Sequence, residues 1–219
     1  MATAQVTPLI QFPQPAPKRP RPRRSQSLNA RQITAILKEA RKASTRDWCL
    51  FLLTFRHALR SREVRQLKIS DINLAAGTIA INRVKGSNSS VQELDRHRGE
   101  PLLDSMLALR LWLKERVEDG SQVLFPSQKG GMLTRMQLLR LFKRYAAAAG
   151  VSADLGHPHV LRHSLCSVMA SQHADLYAIQ KRAGHKNIAN TMIYTHITDT
   201  QAGDACRSAL INAFAQVTD

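Results

Sequence analysis

The chain is 219 residues long and carries 32 lysines and arginines against 16 aspartates and glutamates, a formal net charge of +16. That length fits one ordinary domain, or one domain with a tail, and suffices for a core without disulfide staples; the charge calls for a polyanionic partner, with nucleic acid first. Cys49, Cys166 and Cys206 form neither a metal-ligand pattern nor a disulfide framework, and there is no apolar run of about 18 residues and no signal-like N-terminus, so zinc modules, secreted disulfide scaffolds and membrane spans are excluded and a cytoplasmic, nucleoid-associated protein is expected.

Residues 1–26 crowd Pro8, Pro13, Pro15, Pro17, Pro20 and Pro22 together with Lys18, Arg19, Arg21, Arg23 and Arg24, and no acidic residue precedes Glu39. Proline removes amide donors and the stretch has little apolar surface to bury, so a disordered basic tail is expected ahead of a folded domain over 27–219. The tail reads either as an arm that neutralises DNA phosphates or as a solvated segment. Helical periodicity then begins with Ile33, Ile36, Leu37 and Ala40. A core helix over about Arg46–Arg56 and a short one near Ser61–Leu67 come next. The alternating run from Gly77 to Asn82 predicts a strand, Gly86-Ser87-Asn88-Ser89 a turn, and the return strand lies within Ser90–Leu103.

Beyond that point the pattern is helical. Asp104 caps a helix over about 105–117, and Thr134 caps another over about 135–149 that Gly150 stops. A helix runs from near His159 to about His173, and Asp175 opens a short one ending at Gly184. Asn187 or Asn190 opens the segment that carries Tyr194, and a last helix spans roughly 201–216 with Ala205, Leu210, Ile211 and Phe214 as an apolar stripe. The expected fold class is α+β, mostly helical, with a small antiparallel sheet early in the chain.

Four clusters carry polar chemistry: Arg60-Ser61-Arg62-Glu63; Arg83-Val84-Lys85-Gly86; His157-Pro158-His159-Val160-Leu161-Arg162-His163-Ser164; and Gly184-His185, followed by Tyr194. Taken singly, each has an ordinary explanation, from a surface arginine between helices to a histidine capping carbonyls or a packed tyrosine. Taken in this order, they meet one chemical requirement. Attack on a phosphodiester builds charge on the non-bridging oxygens, which two arginines can grip with paired, permanently charged donors. Histidines can donate to the same oxygens or accept the nucleophile's proton. A tyrosine hydroxyl can store the bond as a phosphotyrosine. A lysine can protonate the leaving 5′-oxygen. No metal ligand set is apparent, so protein cations must stabilise the transition state, and no cofactor is expected.

On these residues the chain resembles the catalytic domain of the tyrosine recombinases, also called phage-type integrases. Their pattern of an early Arg followed by Glu or Asp, a hairpin Lys, a His-x-x-Arg step, a Gly-His step and a Tyr falls here on Arg60 with Glu63, Lys85, His159 with Arg162, Gly184 with His185, and Tyr194. The likeness covers about residues 28–200. It implies a site-specific recombinase (integration, excision or inversion) acting on double-stranded DNA through a 3′-phosphotyrosine and a free 5′-hydroxyl. It also implies roles: Arg60, Arg162 and His185 on the scissile phosphate, His159 as acid or base, Lys85 as acid for the leaving oxygen, and Glu63 as support. A homotetramer across two DNA sites is implied too.

Three departures bear on this reading. Ala58 stands where many members have Gly and Ala183 where many have Leu, both taken as packing positions. Typical members also carry a separate core-binding domain of roughly a hundred residues in front of the catalytic one. Here only the basic tail and one helix precede the second helix, which implies likeness to short, catalytic-domain-only members such as the fimbrial-switch inversion recombinases, with accessory DNA-bending proteins compensating. Two rival functions stay open: an idle DNA-binding regulator on the same fold, and a relaxing enzyme of the type IB topoisomerase kind. For the lysine, Arg83 and Lys68 remain alternatives to Lys85.

Overall fold

The computed structural model describes residues 27–83, 88–118, 120–194, 206–208 and 211. Helix α1 (Ala30–Ala43) is opened by a reciprocal cap between Asn29 and Gln32 and buries Ile33, Ile36, Leu37 and Ala40. Ser44 ends α1, and its hydroxyl then accepts the Asp47 amide at the start of α2 (Thr45–Arg56), so one residue turns the chain between two helices. In α2 every residue from Asp47 to Phe55 is buried. A helix apolar all round must be enclosed, and α2 packs on α1, on α4 (Ser105–Glu115) and on α6 (His159–Ser171).

After the short α3 (Ser61–Gln66) comes an antiparallel sheet of three strands, β1 (Ile72–Asn73), β2 (Thr78–Ile81) and β3 (Ser90–Glu93), in that spatial order. Ile79 and Ile81 on β2 enter the core, and Ile81 pairs with Ser90 across the hairpin. Strand β1 is a finding absent from the sequence pattern: two residues hold a register, Ile72 opposite Ile79, only because β2 offers its free edge. The apex of the β2–β3 hairpin, Lys85 included, lies outside the described residues, as does the basic tail.

The caps at Asp104, Thr134 and Asp175 each accept the expected backbone amides. They open α4, α5 (Arg135–Ala148) and α7 (Leu176–Ala183). Helices α4 and α6 end about two residues earlier than the periodicity suggested, and a four-residue α8 (Ala189–Met192) precedes Tyr194. Of the last predicted helix, only 206–208 and 211 are described, and they are helical. Ala58 corrects the packing interpretation: it is fully buried, but its φ is +49°, a left-handed conformation that costs a side chain roughly 1 kcal/mol. The preference for glycine there is conformational. Ala183, fully buried, is a packing position as expected. Among the described residues no helix is long and apolar enough to cross a membrane.

Candidate active site

Arg60 stands at the N-terminal boundary of α3, three residues before Glu63. One Glu63 oxygen accepts the Arg60 amide at 2.8 Å and the other accepts Arg60 Nη1 at 2.9 Å. The same carboxylate also accepts Arg83 Nη1 at 2.8 Å, and neither partner of that ion pair is exposed beyond 1%. Burial alone pushes the Glu63 carboxyl up, but the Arg60 amide and the charges of Arg83 and Arg60 outweigh it and hold the pKa below the usual range.

Arg83 is a residue whose role sequence reasoning missed. Besides Glu63, its guanidinium donates to the carbonyls of Ala58 (3.2 Å), His57 (3.1 Å) and Arg182 (2.7 Å). It therefore ties the base of the hairpin to the C-terminal ends of α2 and α7. This engagement takes Arg83 out of contention for the leaving-group acid. Gly184 packs against it: φ is +68°, and a Cβ there would lie 2.8 Å from Arg83 Nε and 3.3 Å from the Asn88 carbonyl. The Gly-His step thus begins with glycine for two reasons, a left-handed helix end and a close approach by the hairpin.

Helix α6 carries the next group. Arg162 is buried, donates Nη1 to the Ala58 carbonyl at 2.5 Å, and has an Nη2 with no partner. Burial, then the like charges of Arg60 and Arg83, lower its pKa to about 10, so it stays a cation at neutral pH. His159 opens the helix at the surface; desolvation by the wall behind its ring, with His163 and Arg162 beside it, pushes its pKa down to about 4. Ser164 is structural, bridging the Leu28 amide and the Val160 carbonyl.

His185 is buried after Gly184. Its backbone amide caps the Gln180 carbonyl, while ring Nδ1 bonds Thr191 Oγ1 at 2.9 Å, so a further partner must use Nε2. Burial and the charges of Arg162 and Arg60 push its pKa down to about 4. Tyr194 follows α8 and is half-buried, with its hydroxyl 2.5 Å from His163 Nδ1. Burial and the neighbouring Cys166 hold that hydroxyl well above the ordinary tyrosine range, against the pull of Arg162. The other two tyrosines are elsewhere: Tyr145 is buried and donates to Asp47 at 2.6 Å, and Tyr177 is 70% exposed on α7.

The structure thus brings Arg60, Glu63, His159, Arg162, His185 and Tyr194 to one place and adds Arg83 and His163 to them. Lys85 and the tail residues Lys18, Arg19, Arg21, Arg23 and Arg24 lie outside the described residues. His163 had one available signal: it stands four residues after His159, on the same face of a helix. Among the described residues no group of three His, Cys, Asp or Glu side chains is arranged to hold a metal ion.

Known proteins resemble this chain along most of its length. The type 1 fimbriae regulatory protein FimB of Escherichia coli K12 is 36% identical over 170 residues, 75% of this chain and 80% of that protein. FimE of the same strain is 33% identical over 174 residues, 77% and 84% of the two chains. The crystal structure of XerH site-specific recombinase bound to its difH substrate matches with 28% identity and a TM-score of 0.69, covering 82% of this chain and 53% of that one. XerA recombinase shares the fold, with a TM-score of 0.68 at 24% identity over 94% of this chain and 67% of that one. The phage integrase family pattern matches residues 26–201, a span that takes in every described element from α1 through Tyr194, and the chain therefore belongs to the phage integrase family, the tyrosine-type site-specific recombinases.

Proposed function

We propose that this protein cuts and rejoins double-stranded DNA at specific sites through a covalent 3′-phosphotyrosine on Tyr194. One observation carries the reading: the only tyrosine hydroxyl placed beside a buried arginine and a set of histidines is that of Tyr194. Arg60, Arg162 and His185 (through Nε2) hold the non-bridging oxygens of the scissile phosphate, where preorganised cations stabilise the growing charge. His159, at the mouth of the site, supplies acid–base chemistry, and Lys85 protonates the departing 5′-oxygen. Glu63 fixes Arg60 and Arg83.

The relatives named as fimbriae regulatory proteins favour a recombinase whose rearrangements control neighbouring genes, inversion among them. An idle regulator would be expected to have lost one of these groups, and this chain keeps them. The basic segment 1–26 acts as an arm on DNA phosphates ahead of the catalytic domain 27–219. The working unit is a homotetramer on two DNA sites, joined by the segment after Tyr194 and aided by DNA-bending proteins.

The test is a duplex nicked beside the scissile phosphate, from which the cleaved end cannot religate. The wild-type chain accumulates a covalent adduct and Tyr194→Phe accumulates none while still binding the duplex; an adduct on the Phe variant overturns the assignment. Plasmid relaxation measured beside two-site recombination separates a recombinase from a relaxing enzyme.

A further inference from the structure

The hydroxyl of Tyr194 makes its short hydrogen bond to His163 Nδ1, at 2.5 Å. The two residues are 31 positions apart and are brought together by α6 and the turn after α8. His159 stands one helical turn earlier with its ring edge-on to that of His163, centroids 4.6 Å apart, and the Tyr194 ring is 5.8 Å from His163 on the other side. His163 is therefore the middle member of a row, and its Nδ1 faces the atom that must lose a proton.

We propose that His163 is the base that takes the Tyr194 proton during cleavage and returns it during religation. The inference rests on Tyr194 being the nucleophile. As Oη bonds to phosphorus, its proton passes to His163 Nδ1, the P–O5′ bond breaks, and the 5′-oxygen departs with a proton from Lys85. When the partner strand's 5′-hydroxyl attacks, it yields its proton to the now neutral lysine, the P–Oη bond breaks, and His163 gives its proton back to Oη. Each bond made is matched by one broken and each proton has a donor and an acceptor. On this reading His163, and not His159, exchanges the Tyr194 proton, and the acid–base capacity of His159 is left to the mouth of the site.

The surroundings of the ring suit this task. The groups that face it are His157, His159 and Arg162 on or beside its own helix, and Tyr194 and His185 across the site, while Cys166 bears on the Tyr194 hydroxyl. Burial, and after it the charge of Arg162 and proximity of His157, hold His163 below the ordinary imidazole range. It is thus neutral at pH 7 and able to accept. Tyr194, whose hydroxyl is held above its ordinary range, does not ionise unaided.

The experiment is single-turnover adduct formation on the nicked duplex across pH, for wild type, His163→Asn, His163→Ala and Tyr194→Phe, with DNA affinity measured in parallel. Asparagine keeps a polar atom near the position of Nδ1 but takes no proton. We expect His163→Asn to bind DNA normally and to form adduct about 10²–10³-fold more slowly, within the span of general acid–base catalysis. Its rate loses the acid-side fall that wild type shows as His163 protonates. Imidazole in the buffer, entering the space vacated in His163→Ala beside exposed His159, restores part of the rate. A His163→Asn rate within about threefold of wild type with an unchanged pH profile, a faster His163→Ala, or absence of imidazole rescue in a variant that still binds DNA overturns the proposal. Adduct formation by Tyr194→Phe instead overturns the nucleophile itself.

Discussion

Removing the Glu63 carboxylate tests how the site is held together. Its oxygens accept the Arg60 amide, the Arg60 guanidinium and the Arg83 guanidinium, at 2.8, 2.9 and 2.8 Å. In Glu63→Ala the Arg83 cation, with a side chain 0% exposed, keeps only carbonyl partners. Breaking a buried pair from one side costs about 3–5 kcal/mol, because the remaining charge stays desolvated. The freed Arg60 amide adds about 1 kcal/mol, as for a lost cap. Whole domains are stable by about 5–15 kcal/mol, so the variant sits near the edge of folding. With a urea slope of about 2 kcal/mol/M, a loss of about 4 kcal/mol lowers the unfolding midpoint by roughly 2 M. Glu63→Gln keeps the shape and some hydrogen bonds and loses less.

The pH dependence gives a second reading of the same pair. The folded carboxyl has a lowered pKa, so its contribution is fully present above the unfolded value of about 4.3 and fades as pH falls through the folded value. The stability gap between wild type and Glu63→Gln therefore closes on acidification below about pH 4.3. A loss under about 1 kcal/mol in Glu63→Ala, or a gap that stays flat from neutral to strongly acid pH, refutes the reasoning.

Gly184→Ala combines a left-handed φ of +68° with a Cβ 2.8 Å from Arg83 Nε, and should cost about 2–3 kcal/mol in urea unfolding while slowing cleavage through the displaced hairpin. A change under about 0.5 kcal/mol means that the hairpin yields freely. Lys85→Ala should slow cleavage by roughly 10²–10⁴-fold, and a substrate with sulfur at the 5′-bridging position should restore it, since a thiolate of reference pKa near 8.5 leaves without a proton. Failure of the sulfur substrate to rescue Lys85→Ala places the acid elsewhere.

What was legible in the sequence was local. Asp104, Thr134 and Asp175 each satisfy amides within three residues, and Gly184 ends its helix by its own backbone freedom. Three of the site residues were legible at such punctuation points: Arg60 where α3 begins, His159 where α6 begins, His185 just after a helix-ending glycine; Arg162 followed from its one-turn spacing after His159. The rest depends on partners far away in the chain. Strand β1 exists through pairing with β2, and nothing in Ile72-Asn73 announces it. Arg83 looked like a hairpin cation because its partners lie 20, 25, 26 and 99 residues away. His163 stood in a polar cluster with no role of its own, because its partner Tyr194 is 31 residues away and is delivered by α8.

The way the cations are held explains how the site stays attractive to a phosphate. An arginine neutralised by a carboxylate has little charge left for a substrate, and here Arg60 and Arg83 are both paired to the one carboxylate of Glu63, whose charge Arg162 feels without an ion pair among the described residues. The remaining hydrogen bonds go to carbonyls: Ala58 accepts from both Arg83 and Arg162, His57 from Arg83, and Arg182 from Arg83. These carbonyls stand at the C-terminal ends of α2 and α7, where a helix presents the negative end of its dipole. Carbonyls orient a guanidinium without cancelling its charge. The left-handed turn at Ala58 is what directs one carbonyl toward two arginines at once, and its conformational cost is repaid by that placement. Arg162, held at Nη1 and unpartnered at Nη2, keeps a directed donor and a full charge in a poorly hydrated place. An anion that supplies the missing partner meets donors already aimed, beside a tyrosine that still has its proton and a neutral histidine bonded to it.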